Sequence, residues 1–305
     1  MKQWKIFIIL ILSIIIIAIF VSLKYTTSRI DDVQTISVNT PATLPIIDTV
    51  ISPAIFPIAS TTPVDVITAK SFLVGDLESG EILQEYNSST SLPIASISKL
   101  MNALVTVNFS STTAYVTITK DEMNVPGDSS GITAGETYTI YELLSPLLLN
   151  SSNIAAEVLA SSSARGNFIY TMSSYAQEIG MTDSYFDDPS GLSSLNRANA
   201  KDLFTLASYL YKYRPDILAM TRAQKVSIAT TTEHGSHVFM STHPFINDPR
   251  FVGGKTGRTS AAGETMLTIL NIEGRPVVFI ILGSDIGVRE HDTKLLIEAY
   301  AAHLD

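Results

Sequence analysis

The chain of 305 residues contains no cysteine. That absence removes disulfides, thiolate-ligated zinc and thiol catalysis at once, and an oxidising compartment causes it no trouble. Charge is scarce as well, at 16% of residues, with 20 basic against 29 acidic side chains. The bases before residue 31 (Lys2, Lys5, Lys24 and Arg29) face no acid there, so the remainder is more acidic than the net −9 of the whole. Nucleic acid, whose phosphates call for clustered Lys and Arg, is excluded as a partner. With 46% apolar residues the chain is not a disordered one either. Its five histidines form no metal signature. His234 and His237 sit close together, but no third ligand is spaced to match, and the pair reads as part of a solvated loop. There is no Gly-x-Ser-x-Gly elbow, no Gly-rich phosphate loop and no internal repeat.

One long hydrophobic run is present. Ile6 to Leu23 carries no charge, and about eighteen helical residues at 1.5 Å each cross most of a hydrocarbon core of roughly 30 Å. Lys2 and Lys5 precede it, which favours a cytoplasmic N-terminus. Without a small-x-small cleavage site the segment reads as an uncleaved signal anchor, a cleaved signal peptide being the alternative. Residues 1–24 are therefore expected to be a cytoplasmic tip and transmembrane helix. Residues 25–64, rich in Thr, Ser and Pro, read as a linker, and 65–305 as the folded domain.

Within that domain Ser71 to Asp76 and Glu81 to Tyr86 flank Leu77-Glu78-Ser79-Gly80 and predict a hairpin. Helical patterns follow from Ser96 to about Val107, over Ile140 to Leu149, Ile154 to Ser161, Phe168 to Gly180 and Ala200 to Tyr213. Phe251 to Gly257, Glu264 to Ile272 and Pro276 to Gly283 predict three strands, and Glu290 to Leu304 a closing helix. Strands at both ends with helices between them predict an α+β fold whose terminal segments share one sheet.

Ser96-Ile97-Ser98-Lys99 opens the first helix and is the only Ser-x-x-Lys in the chain. Residues three apart share a helix face, so a lysine made neutral by burial and the helix field can take the serine proton. A plain helix-capping serine is the alternative. Ser151-Ser152-Asn153 interrupts two apolar helices, where a hydroxyl can relay protons and an amide can hold substrate. A capped helix-to-helix turn is the alternative there. Lys255-Thr256-Gly257, also unique, leads through Arg258 and Thr259 into the strand pair. Such an edge offers backbone pairing for an extended peptide, an N–H for an oxyanion and cations for a carboxylate. An exposed edge guarded by Lys and Arg would look similar.

These three elements, in this order, resemble the penicillin-binding serine transferases, and more narrowly the D-alanyl-D-alanine carboxypeptidases of peptidase family S11. The likeness runs from about Ala69 to the C-terminus. It includes Pro93 to Met101, the stretch around Ser151 to Ala156, Asp188-Pro189-Ser190-Gly191-Leu192 and Gly254 to Gly263. It implies a β-lactamase/transpeptidase-like fold, with a five-stranded antiparallel sheet flanked by helices and a helical subdomain. It implies Ser96 as acyl-enzyme nucleophile, Lys99 as general base and Ser151 as proton shuttle. Asn153, Lys255, Thr256, Gly257, Arg258 and Thr259 would bind substrate, and the backbone N–H groups of Ser96 and Arg258 would form the oxyanion hole. Arg289, in Gly287-Val288-Arg289-Glu290, matches a family arginine near the substrate carboxylate. No metal and no cofactor is implied. The expected partners are peptidoglycan stem peptides, β-lactams as inhibitors, and the lipid bilayer through the N-terminal helix. The catalytic domain would lie outside the cytoplasmic membrane, or be secreted if the leader is cleaved.

The chain departs from the family pattern in three places. Ser152 and Ile154 stand where relatives commonly have Gly and Asp, Arg258 replaces an aromatic residue or His, and no C-terminal β-rich domain or amphipathic helix follows. The expected activity is removal of a terminal D-alanine through a Ser96 acyl-enzyme. A D,D-endopeptidase or a β-lactamase of the same superfamily, and a non-catalytic wall-binding module, are the alternatives.

Overall fold

The computed structural model describes residues 67–302 apart from 129. The expected membrane helix and the whole of the expected linker lie outside the described residues. Among those that are described, no helix is long and apolar enough to cross a membrane.

The chain opens with strands β1 (Ser71–Asp76) and β2 (Ile82–Tyr86). Their hairpin is closed by Asp76, whose Oδ1 accepts from the N–H groups of Glu78 and Ser79 at 2.8 and 3.0 Å. Strand β3 (Leu92–Pro93) precedes a 3₁₀ turn at Ala95–Ile97 and helix α1 (Ser98–Phe109). Next come β4 (Tyr115–Thr117), β5 (Thr137–Thr139), α2 (Ile140–Leu148), α3 (Asn153–Ser161) and α4 (Arg165–Glu178). Strand β6 (Arg197–Ala198), α5 (Ala200–Tyr213), α6 (Pro215–Thr221), β7 (Lys225–Ile228) and β8 (His237–Met240) continue the chain. It ends in β9 (Phe251–Thr259), β10 (Gly263–Ile272), β11 (Arg275–Ser284) and α7 (Arg289–Ala301).

One five-stranded antiparallel sheet in the order β2-β1-β11-β10-β9 joins both ends of the described chain, as the sequence pattern predicts. Its central strands are apolar without alternation because both faces are covered. Phe72, Val74, Phe279 and Ile281 point towards Leu296 and Tyr300 of α7. Leu73, Val278 and Ile280 point towards the other core, with Leu203 and Leu206 of α5 and Leu100 of α1. Side chains with a period of two therefore serve two cores. Helix α1 is buried from Ser98 to Thr106, so it runs through the interior and needs no polar face.

Three features differ from the sequence reading. Helix α6 begins where α5 was expected to end the helical run, because Pro215 occupies its first turn, where a missing N–H costs nothing. The β4–β5 and β7–β8 pairs are only three and four residues long, too short for an alternation to register. His234 and His237 do not lie in a solvated loop. His234 is buried with its ring stacked on Tyr138 at 4.5 Å, and His237, on β8, has Nε2 2.8 Å from Glu136 Oε1.

Candidate active site

Ser96 lies in the tight turn ahead of α1, and that turn is strained. Ala95 holds φ +48°, an uncommon conformation for a residue with a side chain. Two glycines from distant parts of the chain pin it. A Cβ on Gly257 of β9 would stand 2.8 Å from Ser96 N, and one on Gly191 would stand 1.9 Å from the Ala95 carbonyl oxygen. Thr265 Oγ1 donates to Ile94 O at 3.1 Å. The sheet edge and the 188–193 loop thus hold the serine turn from two sides.

Lys99, in the first turn of α1 and three residues after Ser96, is fully buried. Its Nζ is 3.0 Å from Ser96 Oγ, 2.7 Å from Asn153 Oδ1 and 2.7 Å from Ser190 O. Burial brings its pKa down from the ordinary lysine value to about 7, against the opposing pull of Asp188, Asp128 and Glu157. The geometry specifies what a neutral amine does here. It donates its two protons to Asn153 Oδ1 and Ser190 O, which only accept, and its lone pair is left for the Ser96 hydroxyl.

The second motif closes the cleft from the helical side. Ser151 sits between α2 and α3 at φ +60°, and Lys255 Nζ donates to its Oγ at 2.9 Å and to Thr256 O at 2.9 Å. Lys255 is buried, and burial followed by repulsion from Lys99 and Arg289 pushes its pKa well down. Asn153 Nδ2 donates to Pro126 O at 2.8 Å while its Oδ1 holds Lys99. The contacts fall into two groups, Lys99 with Ser96 and Asn153, and Lys255 with Ser151, joined through the chain where Ser151 and Asn153 flank Ser152.

The remaining sequence candidates divide. Thr256 is buried on β9. Arg289 Nη1 donates to Gly257 O at 3.0 Å, and its Nε lies 3.8 Å from Glu264 Oε2, so this arginine does reach the third motif. Arg258 is exposed on the same strand. Thr259 Oγ1 accepts from Ala262 N at 3.1 Å in the β9–β10 turn.

Two carboxylates that sequence reading gave no role organise the site. Asp128 Oδ2 accepts from Ser152 Oγ at 2.6 Å and Ile154 N at 2.9 Å, and its Oδ1 accepts from Ser130. Ser152 also caps α3 by accepting from Ala155 N at 3.0 Å. The two second-motif residues that depart from the family pattern, Ser152 and Ile154, thus both bond to Asp128, and the motif is fixed from outside. Asp188 accepts from the N–H groups of Ser190 and Gly191, each at 2.6 Å, and from that of Ser193. Asn102 Nδ2 donates to Pro189 O at 2.9 Å, and together these bonds aim Ser190 O at Lys99. A Pro-Gly-Asp turn and an Asp-Pro-Ser-Gly turn are visible in sequence as turns, but which distant helix they grip is not. His243, buried behind β9, is no rival base. Burial drives its pKa down to about 3, and its Nε2 faces Leu267 O at 3.2 Å. Among the described residues no group of three His, Cys, Asp or Glu side chains is placed to hold a metal.

Residues 58–286 match the family model of peptidase family S11, D-alanyl-D-alanine carboxypeptidase. A D-alanyl-D-alanine endopeptidase of Haemophilus influenzae is 34% identical over 209 residues, 66% of this chain and 70% of that protein. D-alanyl-D-alanine carboxypeptidase DacB2 of Mycobacterium tuberculosis is 25% identical over 226 residues, 73% of this chain and 78% of that protein. Among solved structures, penicillin-binding protein D2 of Listeria monocytogenes in its cefotaxime-bound form superposes with a TM-score of 0.67 at 28% identity, covering 76% of this chain and 97% of that one.

Proposed function

The chain belongs to the D-alanyl-D-alanine carboxypeptidase family of serine peptidases, and from that premise we propose that it removes the terminal D-alanine of peptidoglycan stem peptides. Ser96 Oγ attacks the carbonyl between the two D-alanines as Lys99 takes its proton. The oxyanion is received between the backbone N–H groups of Ser96 and Arg258, where β9 presses on the serine turn. Ser151, held by Lys255, passes its proton to the departing D-alanine amine and is reprotonated by Lys99, so the proton taken from Ser96 ends on the leaving group. Water then hydrolyses the acyl-enzyme. The substrate's terminal carboxylate approaches Lys255, Thr256 and the guanidinium groups of Arg258 and Arg289, and an anion there favours the charged form of Lys255. A β-lactam enters the same route and acylates Ser96.

The observation that carries this reading is the three-way contact of Lys99 Nζ with Ser96, Asn153 and Ser190. The test is D-alanine release from an acyl-D-Ala-D-Ala peptide, run beside labelling with a fluorescent penicillin. Folded protein that releases no D-alanine and takes no label sinks the proposal.

A second reading, a D,D-endopeptidase that cuts cross-links, is favoured by one comparison: the relative at 34% identity carries that name. Product analysis on a pentapeptide and a cross-linked dimer separates the two. In either case the Ile6 to Leu23 run would anchor the protein, residues 25–64 would act as spacer, and 65–305 would work outside the cytoplasmic membrane.

The carboxylates around Lys99 give a pH test whose sign is fixed. Asp128 and Asp188 both stabilise the charged amine and so raise its pKa. In Asp128→Asn that support is lost, the amine becomes neutral at lower pH, and the acid limb of the acylation profile should move down. A rate lowered equally at every pH would assign Asp128 a purely structural role.

A further inference from the structure

The helix that delivers the chain to Ser151 begins at a second concavity. This groove, of about 500 Å³, lies between the β4–β5 pair and the turn ahead of β8. Thr137, Thr139, Thr232 and Glu142 line it, and Tyr115 stands at its edge, 72% exposed. His234 is buried in its wall, stacked flat on Tyr138. The protonation pattern of that ring follows from its neighbours. Nδ1 is 2.8 Å from the Gly235 carbonyl oxygen, which can only accept, so Nδ1 bears the proton and Nε2 of the neutral ring is an acceptor. Nε2 makes no hydrogen bond among the described residues, and Glu142 Oε1 lies 3.8 Å from it. The other oxygen of Glu142 is already engaged by Thr139 N and Oγ1, both at 2.8 Å. Two acceptors thus face each other across a gap that a donor would bridge, beside further hydroxyls and an exposed aromatic face.

We propose that this groove is a carbohydrate subsite. It holds a neutral sugar residue whose hydroxyl or amide N–H bridges His234 Nε2 and Glu142 Oε1, with the apolar face of the sugar on Tyr115. The carboxylates of Glu142 and Glu233 in the lining select against anions. Helix α2 has nine residues, so about 13 Å separates the groove from the Ser151 loop, close enough for one substrate to occupy both. Resting on the reading of the protein as a peptidoglycan hydrolase, the inference assigns the subsite to the glycan strand that carries the stem peptides.

The test uses the full-length chain in detergent micelles, ¹⁵N-labelled. It is titrated with chitotetraose, a neutral oligomer of N-acetylglucosamine, and separately with tetragalacturonate as an anionic control. Chitotetraose alone should shift the amides of Thr137, Thr139, Thr232 and His234. Tyr115→Ala should weaken that binding by at least about fivefold, while fluorescent penicillin labels it at the wild-type rate. No shift at sugar concentrations up to roughly 10 mM, equal binding of the anionic oligomer, or shifts confined to the Ser96 cleft overturns the subsite. Protein that takes the penicillin label and ignores the sugar loses the subsite alone. Protein that binds the sugar in the groove and is never labelled keeps the subsite and loses the hydrolase reading.

Discussion

Lys99→Met is expected to be acylated by a fluorescent penicillin far more slowly than wild type, and Ser96→Ala and the double variant, which lack the attacking hydroxyl, are expected to take no label. A positioned general base contributes about 10²- to 10⁴-fold, and loss of the nucleophile should cost at least as much. The two losses should not add. Lys99 Nζ has its lone pair directed at one hydroxyl, 3.0 Å away, so without the base the hydroxyl stays protonated, and without the hydroxyl the base has nothing to take. Groups that act as a unit lose most of their effect when either one goes.

Stability should separate the two single variants as well. Ser96→Ala removes a side chain whose contact with Lys99 is one of three. Lys99→Met removes the donor to both Asn153 Oδ1 and Ser190 O, and each orphaned acceptor costs about 1–3 kcal/mol. Relief of a buried amine offsets part of that. Thermal unfolding should therefore leave Ser96→Ala near wild type and place Lys99→Met below it. Lys99→Met that acylates within tenfold of wild type would remove lysine from the mechanism.

Much of the architecture was legible because its signals are local and strong. The three-strand run from Phe251 to Ser284 and the helix at Ala200–Tyr213 match their sequence patterns closely. The three motifs were legible as well, and the structure sets Lys99 against Ser96 and Asn153, and Lys255 against Ser151. What stayed hidden has a common physical cause. Asp128 lies 24 residues before Ser152, whose hydroxyl it accepts, and Asp188 orders a carbonyl for a lysine far earlier in the chain. Nothing in a turn-forming Asp announces which distant backbone it will hold. Thr259 has a local partner that motif adjacency did not suggest: its hydroxyl, two residues past a strand glycine, accepts from Ala262 N in its own turn.

Gly191→Ala should damage the enzyme although residue 191 carries no chemistry. Two costs coincide there. Its φ of +90° is a conformation that a side chain resists, and the added Cβ would meet the Ala95 carbonyl oxygen at 1.9 Å and Ser96 N at 3.0 Å. Both obstacles are backbone, so no rotamer change relieves them. Either the 188–193 loop retreats, taking the Ser190 carbonyl from Lys99, or the strained turn at Ala95 yields and Ser96 moves. A displacement of about 1 Å at a reacting group can cost 10²-fold in rate, and a clash of this kind belongs with the substitutions that destabilise by about 3 kcal/mol or more. Gly80→Ala is the matched control, because Gly80 has φ +77° and open space where its Cβ would go. That variant bears only the conformational cost, about 1–2 kcal/mol, and should be acylated at the wild-type rate. Measured together, the pair divides backbone strain from the clash. If Gly191→Ala matched Gly80→Ala in both melting temperature and penicillin labelling, the loop would not be supporting the serine turn.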